Sequence, residues 1–376
     1  MIGLLRLPGI APQAAFGFLS QLTQQVAPVG MVLVVQQATG SLVLAGLSAA
    51  ACSLGTGLAR PVQGRLMDSR GPRGVLVATA IVHVGALVGL LLATEGWLMV
   101  ALALVAGAGL PPVSVAMRLV WGRRVPDDAR TAAYSLVYLV QELAILIGPL
   151  IFGLMIALAS ASPALGLVAG LAGAGTLAFA ASMPPGVRRS DQVRGRVFAH
   201  RGMVVLLAVV LLLGGTIGAL EVGLPALASA QGAPAATGVL VAALSLGGIA
   251  GAAGYGARPW PGSPRTRLVV LLLAMAVALG PLVLIDSLPV FAAVLFVAGI
   301  ALNPVLTTSS LLVDELAPSA QAEAFGWIST AAGAGAAAGS GVAGVIGEHM
   351  GRGWPFLAAA LFVGVGACLA STLRRS

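Results

Sequence analysis

The sequence predicts an all-α polytopic membrane protein, with twelve transmembrane helices in two six-helix, pseudo-symmetric halves. Three observations predict it. The 376 residues are 59% hydrophobic and only 9% charged, too few polar groups to cover a water-soluble chain. Apolar runs of about 20 residues, the length that crosses hydrocarbon, recur twelve times. The chain also repeats itself: shifted by 192 residues it aligns without a gap, with Gly64 on Gly256, Pro72 on Pro264, Arg73 on Arg265, Pro112 on Pro304 and Pro126 on Pro318.

The expected spans are 12–36, 41–60, 75–94, 97–119, 133–158 and 162–182 in the first half. In the second they are 203–225, 236–257, 267–285, 288–312, 324–347 and 354–373. Turn chemistry marks the breaks at Arg60-Pro61, Gly71-Pro72, Pro126-Asp127-Asp128, Pro184-Pro185, Pro259 to Pro264, and Pro318. The 51 glycines allow close helix packing, and Gly335 to Gly341 in span 11 reads as a small-residue packing surface. The domain division that follows is residues 1–183, a linker at 184–202, and residues 203–376.

All 20 basic residues are Arg, and they alternate with the spans. With the N-terminus cytoplasmic, 19 of them fall on the cytoplasmic side, leaving only Arg352 outside. A one-span error would invert every later loop, so the positive-inside rule puts both termini in the cytoplasm. The expected location is the cell membrane, with the bilayer as partner. The basic balance is thus topological and gives no reason to expect nucleic acid. No cleavable leader is expected, since Met1 to Ile10 is short and carries Arg6. Cys52 and Cys368 lie inside apolar runs and imply neither a disulfide framework nor a metal site.

Membrane-embedded polar residues are the candidates for function, because each is costly to insert. Glu142, near the centre of span 5, has Tyr138 and Tyr134 on the same helical stripe. Its carboxyl is the first candidate for carrying a coupling proton; the competing role is a structural hydrogen bond. Glu221 in span 7 is the second candidate, weakened by its nearness to the outer surface. Gln21, Gln24 and Gln25 in span 1, and Asn303 with Thr307 in span 10, either line a pathway or bond across helices. Lone His83 reads as a helix contact. Glu95, Asp286 and Glu348 fall at outer loops and read as solvated.

Between spans 2 and 3 lies Gly64-Arg65-Leu66-Met67-Asp68-Ser69-Arg70-Gly71-Pro72-Arg73. It resembles the G-x-L-x-D-R-x-G-R-R signature of the major facilitator superfamily at Gly64, Leu66, Asp68, Gly71 and Arg73, and departs at Ser69 and Pro72. The resemblance implies secondary transport by two six-helix halves, with Asp68 latching the cytoplasmic side. Arg118 or Arg123, at the end of span 4, is its candidate partner; a helix N-terminus is the other kind of site an acid favours. In span 5, Gly148-Pro149-Leu150-Ile151-Phe152-Gly153 partly resembles the signature of the drug:proton antiporter branch, with Phe152 in place of a Gly. Pro149 breaks a backbone hydrogen bond and is expected to kink the helix.

The expected function is proton-coupled efflux of a small molecule of hydrophobic character by alternating access. Uptake and sugar efflux stay open as alternatives within the same fold. A monomer is expected, without cofactor or metal and not an enzyme. With no Lys in the chain there is no nucleotide-binding P-loop, and no acidic or histidine cluster marks a membrane-enzyme site. Reporter fusions after Arg201 and at Ser376 should both give a cytoplasmic signal; an external signal at either would overturn the twelve-span count.

Overall fold

The computed structural model describes residues 2–183, 197–351 and 353–373. Outside the described residues lie most of the 184–202 linker, with Arg188, Arg189, Arg194 and Arg196, and also Arg352, Arg374 and Arg375. Twelve helices are long and apolar enough to cross a membrane. The first six are α1 (Ile10–Thr39), α2 (Leu42–Arg70), α3 (Pro72–Leu92), α4 (Gly96–Gly122), α5 (Arg130–Leu158) and α6 (Ala161–Ala181). The second six are α7 (Arg201–Ala230), α8 (Ala236–Gly256), α9 (Pro264–Leu279), α10 (Leu288–Leu316), α11 (Gln321–Met350) and α12 (Trp354–Ser371). α9 continues as a 3₁₀ segment, Gly280–Leu284, where Pro281 interrupts the ladder.

Each half closes on itself: α1 packs on α6, α2 on α4, α7 on α11 and α8 on α10. The repeat is visible in backbone contacts. A Cβ on Gly55 would strike the Leu104 carbonyl, and one on Gly107 the Cys52 carbonyl. The matched contacts in the second half are Gly247 against Phe296 and Gly299 against Leu244, each 192 residues on. Glycine is required at these four positions because backbone meets backbone there. α7 and α11 meet the same way, with Gly214 and Gly218 against the Ala332 and Ala336 carbonyls and Gly335 and Gly339 facing back.

The helices depart from expectation at two places, each marked by proline. The break expected at Arg60-Pro61 does not occur: α2 continues to Arg70, so the segment from Gly64 to Arg70 is helical and only Gly71 separates α2 from α3. Pro61 has no N–H for the Gly57 carbonyl, one turn back. The Thr330 hydroxyl, from α11 of the other half, donates to that carbonyl at 2.6 Å. Gly71 makes the turn with φ 84° and ψ 157°, and Pro72 opens α3 at its first position. The matched Pro264 also opens α9 at its first position, there after Ser263, whose side chain accepts from the Thr266 N–H.

The other departure is in α4, expected to be one helix. It is two pieces, Gly96–Ala108 and Val113–Gly122. Two consecutive prolines, Pro111 and Pro112, offer no donors, and Leu110 before them is biased away from helix. Non-helical backbone at membrane depth must be satisfied by protein, and here side chains do so. His83 Nδ1 lies 2.7 Å from the Ala106 carbonyl, the Thr56 hydroxyl 3.1 Å from that of Gly107, and Gln63 Nε2 2.8 Å from that of Ala108. Arg60 and Gln63 both donate to the Leu110 carbonyl at 3.3 Å. The matched Pro304 stands alone in α10, which stays continuous.

Gln63→Leu should therefore strip the Ala108 carbonyl of its donor and lower stability by about 1–3 kcal/mol, measured as a fall in thermal midpoint of purified protein. Gln63→Glu, which cannot donate when ionised, should behave the same way.

Candidate functional site

The two halves meet along a seam built by α2 against α11, α5 against α8 and α10, and the second piece of α4 against α11. Its polar contacts form a ladder. At the end where Arg130 begins α5, the Asp314 carboxylate accepts from Tyr134 at 2.6 Å and from Gln321 Nε2 at 2.9 Å, and pairs with Arg130 at 3.7 Å. One turn deeper Tyr138 and Ser310 share a hydrogen bond of 2.9 Å, and Ser135 and Thr307 one of 3.3 Å. Deepest, Asn303 Nδ2 donates to Glu142 Oε1 at 3.1 Å. Among the described residues, every hydrogen bond and ion pair between the halves lies between the level of Glu142 and the Arg-rich end.

Glu142 is buried at the junction of α5, α8 and α10. Gly248 leaves it room: a Cβ there would come within 3.0 Å of Glu142 Oε1 and 2.8 Å of Asn303 Nδ2. Ser245, one turn earlier on α8, also comes near the carboxyl. Its partners thus all come from the opposite half. A carboxylate can only accept hydrogen bonds, so gain of a proton would recast this junction.

Asp68 stands at the C-terminal end of α2. Its carboxylate accepts from the backbone N–H groups of Ala322 at 3.1 Å and Glu323 at 2.8 Å. These are unpaired donors of the first turn of α11, so the acid caps a helix of the other half with charge complementing the dipole. Gly64 permits the approach, since a Cβ would run into the Ala322 carbonyl. Arg65 reaches Glu323 at 3.4 Å beside it, but its side chain is 76% exposed and the pair adds little.

Neither arginine expected to hold Asp68 does so. Arg123 lies within electrostatic range, and Arg118 is turned inward to Gln141, Tyr138 and Phe325. The first-turn N–H groups, pointing along the helix axis, take the acid instead. Arg73 is exposed.

The other expected residues are dispersed. Gln21 Nε2 bonds back to the Gly17 carbonyl at 3.1 Å and faces Met117 across the α1–α4 contact, while Gln25 is half-buried. Pro149 lies within continuous α5, with Gly148 against Val26 and Leu22 of α1 and no atom within 4 Å of a Cβ at Gly153. Glu221 is exposed on α7, away from the seam contacts. Missed at the sequence level were Asp314, Thr330 and the inward turn of Arg118. Asp314 sits near a helix end beside Glu315 and Pro318, where an acid ordinarily reads as solvated. Among the described residues no group of three or more His, Cys, Asp or Glu could hold a metal ion.

The profile of the Major Facilitator Superfamily matches residues 14–340. The chain belongs to this superfamily. Solved structures of the same fold include the human organic anion transporter MFSD10 (TETRAN), with 17% identity and a TM-score of 0.77, covering 97% of this chain and 100% of that one. The superfamily transporter FucP, in its outward conformation, matches with 14% identity and a TM-score of 0.78 over 99% of this chain and 100% of its own. A bacterial homologue of the iron transporter ferroportin, outward-facing, matches with 16% identity and a TM-score of 0.71 over 96% and 97%. No curated protein sequence matches. At these identities the likeness is one of fold, and substrate must be argued from the site.

Asp68→Asn keeps size but loses the charge and one of its two acceptor oxygens. The state open at the Arg-rich end should gain roughly tenfold in population, for about 1–2 kcal/mol lost at the cap. Spin-label distances across the α2–α11 seam measure this. Distances unchanged from wild type would show that the cap does not hold the halves together.

Proposed function

We propose that this chain is a proton-coupled secondary transporter that exports a small molecule of hydrophobic character across the cell membrane. Its halves, residues 1–183 and 203–376, rock about a midplane site. The observation that carries this reading is the one-sided seam: among the described residues, every polar tie between the halves lies from the level of Glu142 to the Arg-rich end. With that end cytoplasmic, as the positive-inside rule requires, this is an outward-facing state with its inner gate shut. On this reading the protein acts as a monomer, and its work is transport, not catalysis.

Glu142 is assigned the coupling proton because its carboxyl bridges the halves at the deepest rung, where gaining or losing a proton changes the tie to Asn303. A symporter running the other way could use the same rung, and the fucose:proton symporter FucP shares this fold. The direction of gradient-driven flux separates the two.

Counterflow of an unmodified solute in proteoliposomes should establish transport. Glu142→Gln should abolish accumulation driven by a pH gradient while exchange without a gradient survives, because an amide preserves the shape but cannot titrate. A purely structural Glu142 gives the reverse: a lower thermal midpoint with pH-driven flux intact. Undiminished gradient-driven flux would transfer the role to Glu221.

A further inference from the structure

The second piece of α4, Val113–Gly122, carries a buried guanidinium that neither the seam nor the proton site accounts for. Arg118 is 6% exposed, and α1, α5 and α11 pack around its helix. Its Nη2 donates to Gln141 Oε1 at 3.3 Å, its side chain's one hydrogen bond among the described residues. Its Nε is buried with no partner. The guanidinium carbon lies 4.6 Å from the Tyr138 ring centroid and 5.1 Å from that of Phe325, placing the cation between an aromatic ring of each half. Among the described residues no carboxylate pairs with it.

A guanidinium inside a membrane protein is costly and as a rule has an anionic partner. Two cation–π contacts and one hydrogen bond to a neutral amide do not replace a counter-charge. The ion-paired arginines of the described residues sit nearer the protein surface, at 15% exposure or more of the side chain, and Arg60, as buried as Arg118, serves the Leu110 carbonyl of the α4 break. Arg118 is also held where a moving part covers it. Phe325 belongs to α11 and Tyr138 is tied to Ser310 of α10, so parting the halves at the Arg-rich end removes one ring and frees the other. The guanidinium fork, with Nε free, would then face the opened cavity beside the Tyr138 ring. That is a receptor for an acidic group with two or more oxygens, attached to an apolar body.

We propose that Arg118 receives the acidic head group of the transported molecule, which is an amphipathic organic anion, a carboxylate or sulfonate on an aromatic or aliphatic frame. This rests on the transport reading and narrows its substrate class. The closed gate covers the receptor, so the anion binds from the Arg-rich side when the α2–α11 seam has parted.

The test measures binding apart from flux. Naphthalene-2-carboxylate and naphthalene-2-sulfonate are titrated against the full-length protein in nanodiscs, beside the neutral naphthalene-2-carboxamide and beside sodium chloride and phosphate. Wild type should bind the two organic anions roughly ten- to a hundredfold tighter than the amide, the worth of a charged hydrogen-bonded pair, with no comparable effect of the inorganic ions. Arg118→Gln should erase the preference. Arg118→Lys, which keeps the charge but not the fork, should keep the preference at reduced affinity, and it serves if the glutamine variant fails to fold. Asp68→Asn should raise anion affinity by populating the gate-open state.

Equal binding of acid and amide, no binding of either organic anion, or a preference that survives in Arg118→Gln with only a lowered thermal midpoint, would overturn the assignment. Stronger binding of chloride or phosphate than of the organic anions would overturn the substrate class. Anion binding without counterflow would instead count against transport, and counterflow of neutral solutes alone would count against this inference only.

Discussion

The structure depends on one constraint: hydrocarbon cannot hydrogen-bond a free carbonyl or amide, so each irregularity in a spanning helix must find a donor or acceptor within the protein. The chain has many irregularities. Pro61 frees the Gly57 carbonyl, Pro111 and Pro112 break α4, and the start of α11 leaves its first N–H groups unpaired. The described structure answers each with a named side chain, Thr330, the set of Thr56, Arg60, Gln63 and His83, and Asp68. Several of the polar residues that looked costly in the sequence are thus placed to serve the backbone.

The partners divide by where they come from. Those of the α4 break lie on α2 and α3, in the same half. Those of Gly57 and of the α11 N-terminus come from across the seam. The first group can stay made in any arrangement of the halves, whereas the second must be lost when they part. Water entering the opened cavity can take over those carbonyls and amides, which makes the exchange tolerable in a transporter and impossible at a lipid-facing surface. Closure thus exchanges water contacts for cross-seam bonds, a near-balanced trade that suits a two-state device.

The repeat has been kept where backbones touch and abandoned where chemistry differs. Gly55 with Gly107, and Gly247 with Gly299, hold the same contact in each half, because any side chain there would drive the helices apart. At the matched prolines the halves part ways: tandem prolines break α4, and solitary Pro304 leaves α10 whole. The short second piece of α4 that results is buried almost along its whole length and carries Arg118 inward. One half thus offers a cation and an acid, Arg118 and Glu142, and the other answers with Phe325, Ser245, Asn303 and Ser310.

The sequence by itself determined the membrane class, the twelve spans and the two-half plan. Those follow from one-dimensional quantities: run length against bilayer thickness, the alternation of arginines, and a fixed repeat offset. It also singled out Glu142, Asp68 and Asn303, since a polar residue in an apolar run stands out wherever it points. Only the tertiary structure decided what each one meets. Asp68 meets a helix N-terminus and no arginine, and Glu142 and Asn303 meet each other although 161 residues apart. Pro61 does not end its helix, because its missing bond is replaced by a threonine more than half the chain away. Partners across a seam are set by how two halves dock, and docking depends on the shapes of both surfaces at once, which no local pattern in either records.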